Sequence, residues 1–134
     1  MRYLILIGSS LLVLSSCSKD DDDHTYDPND TIAPTISVNS PTEGQSFTSG
    51  TDISFAGRIT DDKGLYRGTV RITKNSDGSV VKEQVYEIHG FLSYDFNVSQ
   101  AITVSASTAY TVTVRFEDHG SNASSKTVGF LVQP

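Results

Sequence analysis

The chain is poor in the residues on which many functions rest. It has one cysteine, one methionine, no tryptophan and three histidines in 134 residues. With a single thiol there is no intrachain disulfide, and a transition-metal site would have to lean on carboxylates. Without tryptophan, the strongest stacking surface for sugars is missing. No stretch carries a sustained helical apolar period. Positive charge is scarce as well, with 10 Lys and Arg against 16 Asp and Glu and a formal net charge of −6. That balance argues against nucleic acid, because phosphate contacts require a basic patch, and against docking on anionic lipid headgroups.

What is present begins with an apolar run. The chain opens MRYLILIGSSLLVLSSC, in which Arg2 supplies a short positive region and Tyr3 to Leu14 an apolar one. The run is too short to span a bilayer as a helix, which takes about 20 apolar residues. It has the size of a secretory signal peptide. Leu14-Ser15-Ser16-Cys17 resembles the bacterial lipobox, an aliphatic residue and two small residues before the cysteine. The resemblance implies cleavage after Ser16 and acylation of Cys17, whose thiol is the nucleophile that carries the lipid. Several acyl chains supply the two or more signals that stable anchoring needs. Residues 1–16 are therefore expected to be a signal peptide. Their removal leaves 118 residues and takes Arg2 away, moving the net charge to about −7.

Ser18-Lys19-Asp20-Asp21-Asp22-Asp23 follows at once. It resembles the acidic export signal of Bacteroidota lipoproteins, which implies lipid-anchored display on the outer face of the outer membrane. The other reading of Lys19, Asp20, Asp21, Asp22 and Asp23 is a solvated acidic spacer. Residues 17–33 are polar, without apolar period, and are expected to form a flexible lipidated tether. Within them Asp30-Thr31-Ile32 resembles the Bacteroidota O-glycosylation acceptor, which implies a sugar on Thr31.

From residue 34 to 134 the texture becomes that of one all-β domain. Alternating segments at 35–39, 51–60, 65–74, 79–90, 91–99, 109–118 and 126–133 are separated by turn signals such as Asn75-Ser76-Asp77-Gly78. Residues 40–50 read as a turn-rich crossing in which Phe47 plugs the core edge. Ile53, Phe55, Gly57 and Ile59 share one face, as do Tyr66, Gly68, Val70 and Ile72, then Leu92, Tyr94, Phe96 and Val98, and then Tyr110, Val112, Val114 and Phe116. About seven to eight antiparallel strands packed as two sheets would bury these faces. The segment 79–90 is more polar and is expected at a sheet edge, guarded by Lys82 and Glu83. Tyr110 stands where the tyrosine corner of immunoglobulin-type sandwiches stands, which predicts that its hydroxyl bonds to the backbone.

The runs APTISVNSPTEGQSFTSGTDISFAGRITDDKGL and AYTVTVRFEDHGSNASSKTVGFLV are similar to the bacterial Ig-like domains of secreted and surface proteins. With the lipobox, the chain resembles small Bacteroidota surface lipoproteins of unknown function. The resemblance implies a Greek-key Ig-like β-sandwich and says little about activity, because this fold hosts many unrelated roles. In such a sandwich the N-terminal approach, the second-to-third strand loop and the last hairpin loop meet at one end. Here they carry Asp30, then Asp61 and Asp62, then Asp118 with Glu117 and Asn122. Hard oxygen ligands from three loops suit Ca²⁺, and cadherin-like relatives of the fold use such an end for calcium. The plainer reading is acidic loop tips in solvent. Asp61 with Asp62, or Glu117 with Asp118, is also the pairing a hydrolase would need, yet Asp before Lys-Gly is ordinary turn chemistry. The expectation is a non-enzymatic surface lipoprotein presenting a binding module to an extracellular glycan or protein. A structural accessory subunit of an envelope or glycan-uptake complex comes second, and an enzyme last. Tyr86 and Phe91 are the aromatics left for a glycan surface, and the edge at 79–90 is the place for strand addition by a partner.

Overall fold

Strand residues with alternating polarity can bury one face only by packing two sheets together. The computed structural model describes residues 27–134 and does this with eight strands. These are β1 (Thr35–Ser40), β2 (Gln45–Thr48), β3 (Asp52–Thr60), β4 (Leu65–Lys74), β5 (Val80–Glu87), β6 (Ser93–Ala101), β7 (Thr108–Asp118) and β8 (Ala123–Gln133). The signal peptide, Cys17 and the run Lys19, Asp20, Asp21, Asp22 and Asp23 lie outside the described residues.

One sheet has the order β1-β3-β6 and the other β2-β8-β7-β4-β5. Consecutive strands are thus dealt between two sheets in the immunoglobulin pattern, with the fifth strand added beside the fourth. The fold is an all-β sandwich, as the alternation predicts. One pairing departs from the antiparallel expectation. β2 runs parallel to β8, Gln45 opposite Phe130 and Thr48 opposite Gln133. The crossing at residues 41–44 changes sheet without reversing the chain, so β2 continues in the direction of β1. The Gly44 N–H donates to the Gly129 carbonyl (2.8 Å), and the Gly129 N–H to Glu43 Oε2 (3.0 Å). Phe47 then reaches the core edge and meets Phe130 edge-on, with centroids 5.9 Å apart.

The inner faces interlock through glycine and phenylalanine. A Cβ on Gly68 would stand 2.2 Å from Phe116, and one on Gly57 would stand 2.6 Å from Phe96. Each glycine therefore vacates the space that a fully buried ring from the neighbouring strand fills. Phe55 meets Phe130 edge-on and Tyr110 stacks on it, at 5.3 and 5.6 Å between centroids.

Three sequence expectations change. A register shift between Leu65 and Arg67 turns Leu65, not Tyr66, into the core. Leu92 precedes β6 instead of joining its inward row and is 56% exposed. Tyr110 is buried and stacked on Phe130, but its hydroxyl bonds to no backbone group among the described residues, so the tyrosine corner is absent. β5 does lie at a sheet edge, with Val80 and Val85 exposed.

Tyr110→Phe keeps the stacked ring, so its urea midpoint should match that of the parent. A loss near the ~1 kcal/mol of a buried hydrogen bond would restore the corner.

Candidate functional site

At the end of the sandwich where β1 begins, the chain arrives through a turn in which the Asp30 N–H donates to the Asp27 carbonyl (3.1 Å). Residues 27–33, polar enough to read as tether, are here folded against the domain. Asp30 is only 9% exposed and Pro34 is buried. The Asp30 carboxylate accepts the Ile32 N–H (3.1 Å), a local turn bond of the kind short Asx side chains favour. Thr31 is exposed beside it.

The loop between β3 and β4 supplies the second carboxylate. Asp61 Oδ2 accepts the N–H groups of Lys63 (3.0 Å) and Gly64 (2.7 Å). Gly64 has a φ of +136°, and a Cβ there would come within 3.3 Å of Gly90, so the loop can close against residues 90–92 only with glycine. The Asp61 N–H is spent on the Leu92 carbonyl (2.9 Å). The other carboxylate oxygen, Asp61 Oδ1, is buried and has no hydrogen-bond partner among the described residues.

Asp118 supplies the third. The inward row of β7 continues Tyr110, Val112, Val114, Phe116 into Asp118, which leaves this carboxylate 1% exposed. Asn122 braces it, donating its backbone N–H to Oδ1 and its side-chain amide to Oδ2, both at 2.9 Å. The same amide also donates to the Asp30 carbonyl (3.0 Å). Gly120 leaves room for this contact, since a Cβ there would stand 2.8 Å from the Asn122 amide.

Asp30, Asp61 and Asp118 each place a carboxylate oxygen within 4.8 Å of the others. Asp62 is exposed and stands outside this group. Glu117 is excluded by the same alternation that buries its neighbour. It lies on the outer face, paired with Arg67 at 2.5 Å and Arg115 at 3.4 Å. Among the described residues no lysine or arginine pairs with the three aspartates; Lys63, the nearest along the chain, reaches Asp27 at 3.7 Å. Three carboxylates held together with no lysine or arginine partner among the described residues suit a divalent cation. Two oxygens sharing one Ca²⁺ at its usual 2.3–2.6 Å lie at most about 5 Å apart, and the spacing here is inside that limit.

His119, which follows Asp118 in the chain, belongs to an aromatic cluster whose members are far apart in the sequence. Tyr66 packs against His89 and His119, at 4.8 and 4.7 Å between centroids, and the two imidazoles are 5.3 Å apart. Arg67 lies over Tyr66 at 5.0 Å. Phe91 and Leu92 are both 56% exposed and Ile32 is 59% exposed. Tyr86, expected as a surface aromatic, is instead half-buried between Tyr94 and Phe116, and burial, with Tyr94 adding to it, pushes its phenol up from the usual range.

A family model described as a domain of unknown function (DUF4625) matches residues 15–123. A structure of murine CRIg is similar to this chain, at 13% identity and a TM-score of 0.43, over 75% of this chain and 96% of that one. No curated protein is similar in sequence.

Asn122→Ala removes the brace between Asp118 and the incoming chain and leaves a buried carboxylate short of a donor. It should lower stability by about 1.5–3 kcal/mol, the range for hydrogen bonds to charged groups, read from urea midpoints.

Proposed function

The chain belongs to the DUF4625 family, a domain of unknown function, and from that premise we propose that it is a non-enzymatic surface lipoprotein. Its Ig-like sandwich serves as an interaction module for a glycan or protein outside the cell. Cys17 carries the lipid, Lys19 and Asp20 to Asp23 direct the protein to the outer face of the outer membrane, and Ca²⁺ at Asp30, Asp61 and Asp118 locks the end from which the tether leaves. The observation that carries this reading is the meeting of those three carboxylates, because they come from the incoming chain, from the β3–β4 loop and from the end of β7 where the β7–β8 loop begins. The orphaned Asp61 Oδ1 is a donor atom with nothing else to serve. An ion there ties the root of the tether to both loops and holds the sandwich in a fixed attitude on its anchor. The separation of Asp61 from the exposed Asp62, and of Asp118 from the ion-paired Glu117, supports a binding role over hydrolysis. Thr31 is an accessible place for an O-linked sugar.

The module then offers its surroundings the outer face of the five-stranded sheet. That face carries cross-strand charge pairs, Arg67 with Glu117 and Arg71 with Glu83. A second reading, an accessory subunit of an envelope complex, is favoured by the free edge of β5. Val80 and Val85 are 54% and 55% exposed there, and an added strand would find unpaired backbone groups.

Calcium should raise the melting temperature by a few degrees, more than Mg²⁺ or NaCl at matched ionic strength. A ligand at a hundredfold excess over its Kd adds about 2.7 kcal/mol to the folded state. Asp61→Asn combined with Asp118→Asn should abolish the rise. Equal shifts with Ca²⁺ and NaCl would reduce the three aspartates to a screened acidic tip.

Cys17→Ser should move the protein out of the membrane fraction and stop incorporation of labelled palmitate. Continued labelling of the variant would overturn the anchor.

A further inference from the structure

The outer face of the three-stranded sheet carries a polar hollow. Its central rungs, from β3 across to β6, are Ser54 with Ser99, Ala56 with Asn97 and Arg58 with Asp95. Ala56 is the short side chain among them, and the face sinks there. The hollow has a volume of about 440 Å³ and lies between Asn39, Arg58, Asp95 and Asn97, with Ala56, Gly57 and Phe96 also lining it. Binding pockets for small molecules run from about 300 to 1,000 Å³.

Each polar wall is held in place and keeps hydrogen-bonding capacity in hand. The β1 register passes from Val38 opposite Gly57 to Ser40 opposite Ala56, so Asn39 is a bulged residue without a rung. Such bulges re-aim a side chain. The Ser37 hydroxyl donates to Asn39 Oδ1 (3.3 Å) and the Ser54 hydroxyl to Asn97 Oδ1 (3.2 Å). Both amides are thus oriented through their oxygens, and both NH₂ groups are unspent among the described residues. Arg58 grips Asp95 with two bonds, Nε to Oδ1 at 2.7 Å and Nη2 to Oδ2 at 3.1 Å. That engages two of the five guanidinium N–H groups and leaves three. The shared bonds hold the Asp95 carboxyl below its usual range and the Arg58 guanidinium above its own, so both stay charged.

This chemistry selects its occupant. Arg58 and Asp95 cancel, so the hollow offers no net charge to an ion, and the chain's −6 opposes an anionic ligand. Protein contacts are anchored by large side chains buried in pockets. None of the large exposed apolar residues Ile32, Val80, Val85, Phe91 and Leu92 belongs to β1, β3 or β6. A hydroxyl both donates and accepts. Adjacent hydroxyls on a ring therefore call for what stands here, a carboxylate to accept beside a guanidinium and two amides to donate. The methyl of Ala56 is a small apolar floor for the C–H face of such a ring.

Resting on the reading of the protein as an interaction module, we propose that this hollow binds one residue of a neutral glycan through adjacent ring hydroxyls. Asp95 accepts from one hydroxyl, and Arg58, Asn39 and Asn97 donate to its neighbours. The site lies on the sheet opposite the five-stranded face and is separate from the three clustered aspartates, none of which lines it.

The full chain, labelled with nitrogen-15 and held in detergent micelles, is titrated with methyl α-mannopyranoside, methyl β-galactopyranoside and methyl β-glucopyranoside in turn. These three differ in the arrangement of their adjacent hydroxyls. The side-chain NH₂ signals of Asn39 and Asn97 and the Nε–H of Arg58 report on the hollow itself. Saturable movement of those signals with at least one glycoside is expected, equal in Ca²⁺ and in EGTA. Ala56→Ile fills the floor with a residue that strands accept and should abolish the movement without lowering the melting temperature. Arg58→Ala with Asp95→Ala keeps the net charge and removes an exposed pair that contributes little to folding. It should weaken binding by about tenfold or more, as loss of hydrogen bonds to charged groups does. Saturable shifts confined to other residues overturn the hollow and leave a glycan-binding module standing. No saturable shift with any of the three glycosides overturns the hollow and leaves a protein as the module's ligand. Binding that survives both variants also overturns it.

Discussion

The inward row of β7 is the constraint on which the rest of the molecule depends. β7 is hydrogen-bonded to β4 on one side and β8 on the other, and every second residue from Tyr110 to Asp118 enters the space between the sheets. Its fillers dictate what may face them. Phe116 needs the missing side chain of Gly68, and Tyr110 needs Phe130 to stack on. Because a strand's period is fixed at two, the row that places Phe116 correctly also carries Asp118 inward, one rung beyond the hydrocarbon. The acidic centre is in that sense the end of the core, reached by continuing its own rule into a polar residue.

That origin explains how the site is built. A buried carboxylate must be met by donors, and Asn122, four residues later in the hairpin, supplies both. Its amide then has a hydrogen left over for the Asp30 carbonyl. Asp61 is fixed by a different device, a turn closed by its own carboxylate on Lys63 and Gly64. Three local solutions, each sensible alone, bring three negative charges within 4.8 Å. A divalent cation, as proposed, would turn that coincidence into a joint.

Alternation made most of the fold readable in the sequence. Ile53-Phe55-Ile59 and Val112-Val114-Phe116 announce their faces without help. β2 was not readable as a strand, because four residues with one apolar member show no period, and its partner is set by the crossing before it. Tyr66 and Leu92 escaped for a related reason. A register shift and a strand start each displace the pattern by one residue, and one residue inverts the face. Of the site, the meeting of Asp30, Asp61 and Asp118 follows from fold topology. The burial of Asp118 was present in the alternation but hidden by the habit of assigning acidic residues to loops. The exclusion of Asp62 and Glu117 depends on side-chain direction. The Tyr66, His89 and His119 cluster left no sequence signal, since its members come from three distant stretches.

The place where the chain joins the sandwich also fixes how the protein bears tension. A partner gripping the far end while a lipid holds Cys17 would pull β1 along its own axis. β1 lies antiparallel to β3 from Thr35 to Ser40, with its rungs across the line of pull. Such rungs share a load in shear and do not open one at a time as in unzipping. Ahead of them stand the Asn122 contact to Asp30 and the Lys63 contact to Asp27, which take the strain first. The acidic cluster is thus positioned as a mechanical stop, and the force that the proposed anchor would transmit would depend on whether that stop is closed.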